Sequence, residues 1–151
     1  MRPRTARRRL SARQRQVIIT RAGGCCEYCR SPDRYAPDPF LVDHVQPRAR
    51  GGSHDLSNLA YACAGCNGRK YAATIARDPA TGAEVPLYNP RQQRWEEQFA
   101  WSNDFTHIVG RTPTGRATVE RLDLNRPHLV RLRRRLYALG DHPPPGLAPG
   151  E

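Results

Sequence analysis

The sequence predicts a small α+β fold: a metal-stapled core of strand, loop, strand and helix, carrying a mixed helix and hairpin extension at its C-terminal side. Three observations predict it. Cys26-Glu27-Tyr28-Cys29 and Cys63-Ala64-Gly65-Cys66 are two CxxC knuckles, and Zn²⁺ takes four thiolates in a tetrahedron, two from each tight turn. The interval between Cys29 and Cys63 is too long to be structureless inside a compact domain. It carries two apolar runs of strand character, Phe40-Leu41-Val42 with His44-Val45, and Leu59-Ala60-Tyr61-Ala62. After Cys63 the spacing turns helical, with Cys66, Asn67 and Lys70 sharing one face.

In chain order, residues 1–10 read as a flexible basic arm. Ser11 followed by Gln14 forms a capping box for a helix with Val17, Ile18 and Arg21 on successive turns, ended by Gly23-Gly24. That helix props the first knuckle. Of the five cysteines, Cys26 and Cys29 have the two-residue spacing and Cys25 and Cys29 do not, so Cys25 is the spare. The core spans residues 11–76. Pro47, Gly51, Gly52 and the polar run to Asn58 form the loop between its strands. Structural zinc is worth roughly 10–16 kcal/mol in small peptides, against roughly 5–15 kcal/mol for the stability of a whole domain, so losing the metal unfolds the centre.

Residues 77–140 form the extension. Asp78-Pro79-Ala80-Thr81-Gly82 is a turn signal and Val85-Pro86-Leu87-Tyr88 a short edge segment. Asn89-Pro90 reads as the start of a helix running through Trp95 and Phe99. Trp101 and Ile108-Val109 suggest a hairpin around Ser102-Asn103-Asp104, and Thr112-Pro113 opens a helix with Val119 and Leu122 inward. Pro127 opens another, with Leu129, Leu132, Leu136 and Leu139 as its apolar stripe and Arg131, Arg134 and Arg135 on the opposite face. The aromatic residues Tyr88, Trp95, Phe99 and Trp101 read as packing that clamps the extension to the core. Residues 141–151 lack the apolar content to fold.

The formal charge is +11, and four ionised cysteines and one Zn²⁺ change it by −4 and +2, to +9. Such an excess favours a polyanion through counterion release at phosphates. Composition alone fits a nonspecific nucleic-acid binder equally well. The basic N-terminal run lacks the apolar core of a signal peptide, and no stretch approaches membrane-spanning length. Cysteines spaced as metal ligands, rather than as a disulfide framework, point to a reducing cytoplasm.

The order CxxC, Asp43-His44, Pro47, Gly51-Gly52, Asn58-Leu59, CxxC, Asn67, Lys70 resembles the HNH endonuclease family, with its beta-beta-alpha-metal fold and four-cysteine zinc cluster. The resemblance covers about a third of the chain. It implies that Cys26, Cys29, Cys63 and Cys66 bind structural zinc, that Asp43 and Asn67 hold a catalytic Mg²⁺ or Mn²⁺, that His44 is the general base, and that Asn58 braces the loop behind His44. The family is named for His, Asn, His; here the last position is Asn67 and the first is the Asp43-His44 pair, a variant that still supplies metal-binding oxygens. The chemistry asks for these types. Imidazole can take a proton from water near neutral pH, and one hard cation on oxygen ligands can neutralise charge on the phosphate.

Adjacent strand residues point to opposite faces, so Asp43 and His44 cannot both face one phosphate from a regular strand. Either the strand is distorted there or the substrate crosses its edge. His54, beside Asp55, reads as a solvated loop residue. Arg48, Arg50, Arg69 and Lys70 are candidate phosphate contacts. The expected activity is hydrolysis of double-stranded DNA; the rivals are a zinc-stapled nucleic-acid-binding module without turnover, and a protein-interaction scaffold.

Overall fold

The computed structural model describes residues 9–146. The basic arm therefore lies largely outside the described residues, as does the end of the Pro-rich tail. Helix α1 (Ala12–Arg21) starts at Ser11, whose side chain accepts from the Gln14 backbone while Gln14 Oε1 accepts from the Ser11 N–H at 2.9 Å. That is the expected capping box. Of its apolar residues only Ile18 is fully buried, and Val17 is 42% exposed.

Strands β1 (Leu41–His44) and β2 (Leu59–Ala62) pair antiparallel, with Asp43 opposite Ala60 and His44 opposite Leu59. Helix α2 (Ala64–Lys70) follows at once, N-capped by Cys63, whose sulfur accepts from the Cys66 N–H at 3.4 Å. The loop between the strands owes its course to its glycines. Gly51 has φ +84°, and a Cβ on Gly52 would fall 1.7 Å from the Gln46 carbonyl oxygen, an approach no side-chain-bearing residue allows.

Strands β3 (Ile75–Arg77) and β4 (Glu84–Pro86) form a hairpin that crosses the expected boundary between 76 and 77. Its turn is held by Asp78, whose N–H donates to Ala83 and whose carboxylate takes paired bonds at 2.9 Å from Arg116. The helix expected from Asn89 does not form. Asn89 instead folds over its own chain, accepting from the Arg91 N–H at 2.9 Å, and only the short α3 (Trp95–Gln98) is helical; Phe99 already belongs to the next strand. Asparagine competes with helix in this way because its side chain mimics a backbone turn.

Strands β5 (Phe99–Trp101) and β6 (Ile108–Gly110) make the expected hairpin. Helix α4 (Pro113–Arg121) is capped by Thr112. Helix α5 (Pro127–Ala138) buries Leu129 and Leu136 but leaves Leu139 69% exposed. Arg131, Arg134 and Arg135 are exposed as expected. Arg133, within the same run, is 3% exposed. The chain stays placed past residue 140: His142 is buried, on the Phe105 carbonyl at 2.8 Å and edge-on to Trp101.

One core joins core and extension. Ile18, Tyr28, Phe40, Leu59 and Tyr61 cluster with Tyr88, Trp95, Phe99, Leu122, Leu124 and Leu129. The Trp95 indole donates to the Tyr28 carbonyl at 3.0 Å, which anchors the extension on the first knuckle.

Candidate functional site

The two knuckles meet. The ligand atoms of Cys26, Cys29, Cys63 and Cys66 lie within 4.8 Å of one another, and the Cys29 and Cys63 sulfurs are 3.8 Å apart. A tetrahedron with Zn–S bonds of about 2.3 Å places its sulfurs about 3.8 Å apart, the separation of the Cys29 and Cys63 sulfurs, so the four thiols are grouped as that ion requires. Hydrogen bonds from the neighbouring thiols, Cys26 first, lower the pKa of Cys63, while burial raises that of Cys26, so the four thiols titrate together as one group. Cys25 stays outside the cluster, buried, with its sulfur 3.6 Å from the Gly23 carbonyl.

The extension supplies cations to this cluster that sequence reading missed. Arg126, just before α5, points its guanidinium at Cys63 Sγ (3.5 Å) and Cys66 Sγ (3.6 and 3.7 Å), while the Leu122 and Asp123 carbonyls hold it from behind. A Cβ on Gly65 would sit 2.6 Å from that guanidinium, so the glycine inside the second knuckle makes room for it. Arg133 spends its donors on the Thr106, Leu124 and Cys29 carbonyls and the Asn125 side chain. Arg133, buried with its donors on these oxygens, is a structural cation, and its place among the arginines of α5 gave no sign of it.

The residues of the hairpin separate by face. Asp43 points inward and is 4% exposed; its Oδ2 accepts from the Tyr28 hydroxyl at 2.7 Å and lies 3.1 Å from Lys70 Nζ. Lys70 is 1% exposed and also donates to the His44 and Val45 carbonyls, each at 3.2 Å. The expectation that Lys70 grips phosphate is therefore corrected: a side chain with its ammonium enclosed by a carboxylate and two carbonyls has no donor left for solvent. Burial raises the pKa of Asp43, with Lys70 and Tyr28 opposing.

His44 faces the other way and is half-buried. Its Nε2 lies 2.9 Å from His54 Nδ1, the two rings stacked with centroids 5.2 Å apart. His54 is thus a neighbour of the candidate base and not a solvated loop residue. Burial first, then His54, Arg48 and Lys70, lower the pKa of His44 while Asp43 opposes.

Asn58 ties the loop together. Its Nδ2 donates to the Gln46 and Ser53 carbonyls (3.0 and 2.7 Å) and its Oδ1 accepts from the Gln46 N–H (2.9 Å), joining the segments that carry His44 and His54. Asn67 lies in the first turn of α2, half-buried. Arg48 and Arg50 are exposed on a one-turn 3-10 helix (Arg48–Arg50), and Arg69 is exposed with one donor on the Gly65 carbonyl at 3.1 Å.

Strand, loop, strand and helix around four clustered cysteines, with a half-buried histidine at the strand end, make a small α+β domain with a four-cysteine metal-binding cluster. Residues 26–73 match the model of the family described as HNH endonuclease, and this stretch is an HNH domain. Searches of curated proteins and of solved structures find no match. Among the described residues no helix is long and apolar enough to cross a membrane.

Proposed function

We propose that this chain is a metal-dependent endonuclease that hydrolyses phosphodiester bonds of double-stranded DNA, with His44 as the general base. The observation that carries the reading is the state of His44 inside an HNH domain. Half-buried at the strand end with its ring against His54, it has its pKa lowered by burial and nearby cations, the direction that favours a ring able to take a proton from water. Exposed Arg48, Arg50 and Arg69 and a net charge of +11 supply attraction for the phosphates. Arg131, Arg134 and Arg135 form a second exposed basic face on α5.

Mg²⁺ or Mn²⁺ on Asp43 and Asn67 would supply charge compensation to the phosphate and the leaving oxygen. The carboxylate and amide oxygens are the donors a hard cation prefers. Asp43 already faces the ammonium of Lys70 at 3.1 Å, so an ion held there would share the carboxylate with that ammonium. Asn58 keeps the histidine loop in place, and Arg48, beside His44, orients the phosphate. Five cysteines without a disulfide among them, four grouped as metal ligands, suit a reducing cytoplasm.

The engagement of Asp43 by Lys70 and Tyr28 favours one alternative, a zinc-stapled nucleic-acid-binding module in which Asp43 is structural. Supercoiled plasmid incubated with Mg²⁺, Mn²⁺ or chelator, using the native chain beside His44→Ala, separates the two. Metal-dependent nicking lost in the variant supports the nuclease. Salt-sensitive DNA retention without nicking under any ion supports the module.

A further inference from the structure

We infer that His54 is a positioning residue for His44: it accepts the Nε2 proton of His44 and so holds that ring in the tautomer whose Nδ1 is free to act as base. The inference rests on the reading of His44 as the base.

Imidazole nitrogens 2.9 Å apart form one hydrogen bond, in which one ring donates and the other accepts. If His54 donated, His44 would carry its own proton on Nδ1 and would have no lone pair left for water. With His44 donating, its Nδ1 keeps the lone pair and His54 carries its proton on Nε2. His54 Nε2 is buried and has no partner in either arrangement, so it does not decide between them. What decides is the use of the ring, because only one of the two tautomers leaves His44 a base.

The contact is built into the loop. His54 follows Ser53, whose carbonyl accepts from Asn58 at 2.7 Å, and Asn58 also takes both backbone groups of Gln46, two residues after His44. Asn58 N–H donates to the Asp55 carbonyl at 2.8 Å, closing the far side of His54. Gly52 permits the chain to pass within contact of Gln46 on the way to His54. The asparagine that braces the loop therefore sets the separation between the two rings, and the rings stack at 28° between their planes.

The test uses the zinc-loaded full chain with ¹⁵N-labelled histidine, in which ring spectra report which nitrogen carries the proton. The expected result is His44 protonated on Nε2 in the native chain and a mixture of tautomers in His54→Ala. In plasmid cleavage His54→Ala loses about 10- to 100-fold in kcat, as for other groups that orient a ligand or base, with KM for DNA unchanged. His54→Asn, whose side-chain oxygen can stand where Nδ1 stood, recovers part of the loss. His44 protonated on Nδ1 in the native chain would overturn the inference, as would an unchanged tautomer or an unchanged kcat in His54→Ala. Nicking that survives His44→Ala would instead remove the nuclease reading while leaving the tautomer measurement intact.

Discussion

Replacing Lys70 by methionine separates a buried structural cation from a phosphate contact. The substitution keeps the length and most of the volume of the stem and deletes the ammonium. That leaves the carboxylate of Asp43, 4% exposed, with only the Tyr28 hydroxyl, and strips the His44 and Val45 carbonyls of a donor. Breaking a buried ion pair from one side costs about 3–5 kcal/mol, since the remaining charge is left uncompensated. For a chain of this size each kcal/mol moves the midpoint by about 2–4 °C, so Lys70→Met lowers Tm by about 6–20 °C. Adding Asp43→Asn removes the orphaned charge and recovers a large part of the loss, because burial already works against ionised Asp43. Calorimetry on the zinc-loaded single and double variants measures the coupling. A single variant that melts within 2 °C of the native chain while DNA retention collapses would refute the buried-pair reasoning and return Lys70 to the phosphate.

Stripping the metal with a strong chelator unfolds the centre of the domain, seen as loss of near-ultraviolet circular dichroism together with one zinc released per chain; a chain that keeps its tertiary signal without metal contradicts the stapling. Arg126→Ala leaves two sulfurs without a cationic donor, and zinc affinity measured by chelator competition falls about 10- to 100-fold; an unchanged affinity means the contact is incidental. Asp78 is held well below the usual carboxylate range by the Arg116 guanidinium. Its stabilising effect is therefore present above the ordinary carboxylate pKa of about 3.9 and is lost as pH falls through the depressed folded value. Asp78→Asn flattens that acid-side loss in urea titrations, and a variant with the same acid profile as the native chain speaks against it. Arg48→Ala and Arg50→Ala each reduce the salt slope of DNA retention by about one; two unchanged slopes would place the phosphates elsewhere.

The legible parts of the fold were those encoded by neighbours in sequence. Ser11 with Gln14, the two knuckles, the strand pair around Gly51-Gly52 and the hairpin after Trp101 depend on contacts within a few residues or on the chemistry of one metal. The failures share a cause. Lys70, Arg126 and Arg133 look alike in sequence to exposed phosphate-binding residues, and only their distant acceptors, from Asp43 to the cysteine sulfurs, show them to be internal. Strand β3 was missed because Ile75-Ala76-Arg77 is too short to show alternation, and its partner lies across the Asp78 turn. The helix expected at Asn89-Pro90 gave way to an Asn turn that serves Glu27, whose carboxylate pairs with Arg91 and accepts from the Tyr61 N–H at 2.7 Å. The partnership of His44 with His54 had one available signal, a second histidine in the loop after Gly51-Gly52, and its weight depended on the way Asn58 folds that loop back.

The most direct measurement is nicking of supercoiled plasmid by the zinc-loaded chain in Mg²⁺, in Mn²⁺ and in chelator, with His44→Ala purified in parallel and zinc assayed on both. The expected result is ion-dependent conversion to open circles that falls by about two to four orders of magnitude in the variant, at equal zinc content. Equal nicking by the two proteins, or none by the native chain under any ion, would contradict the assignment of His44 as the base of a nuclease.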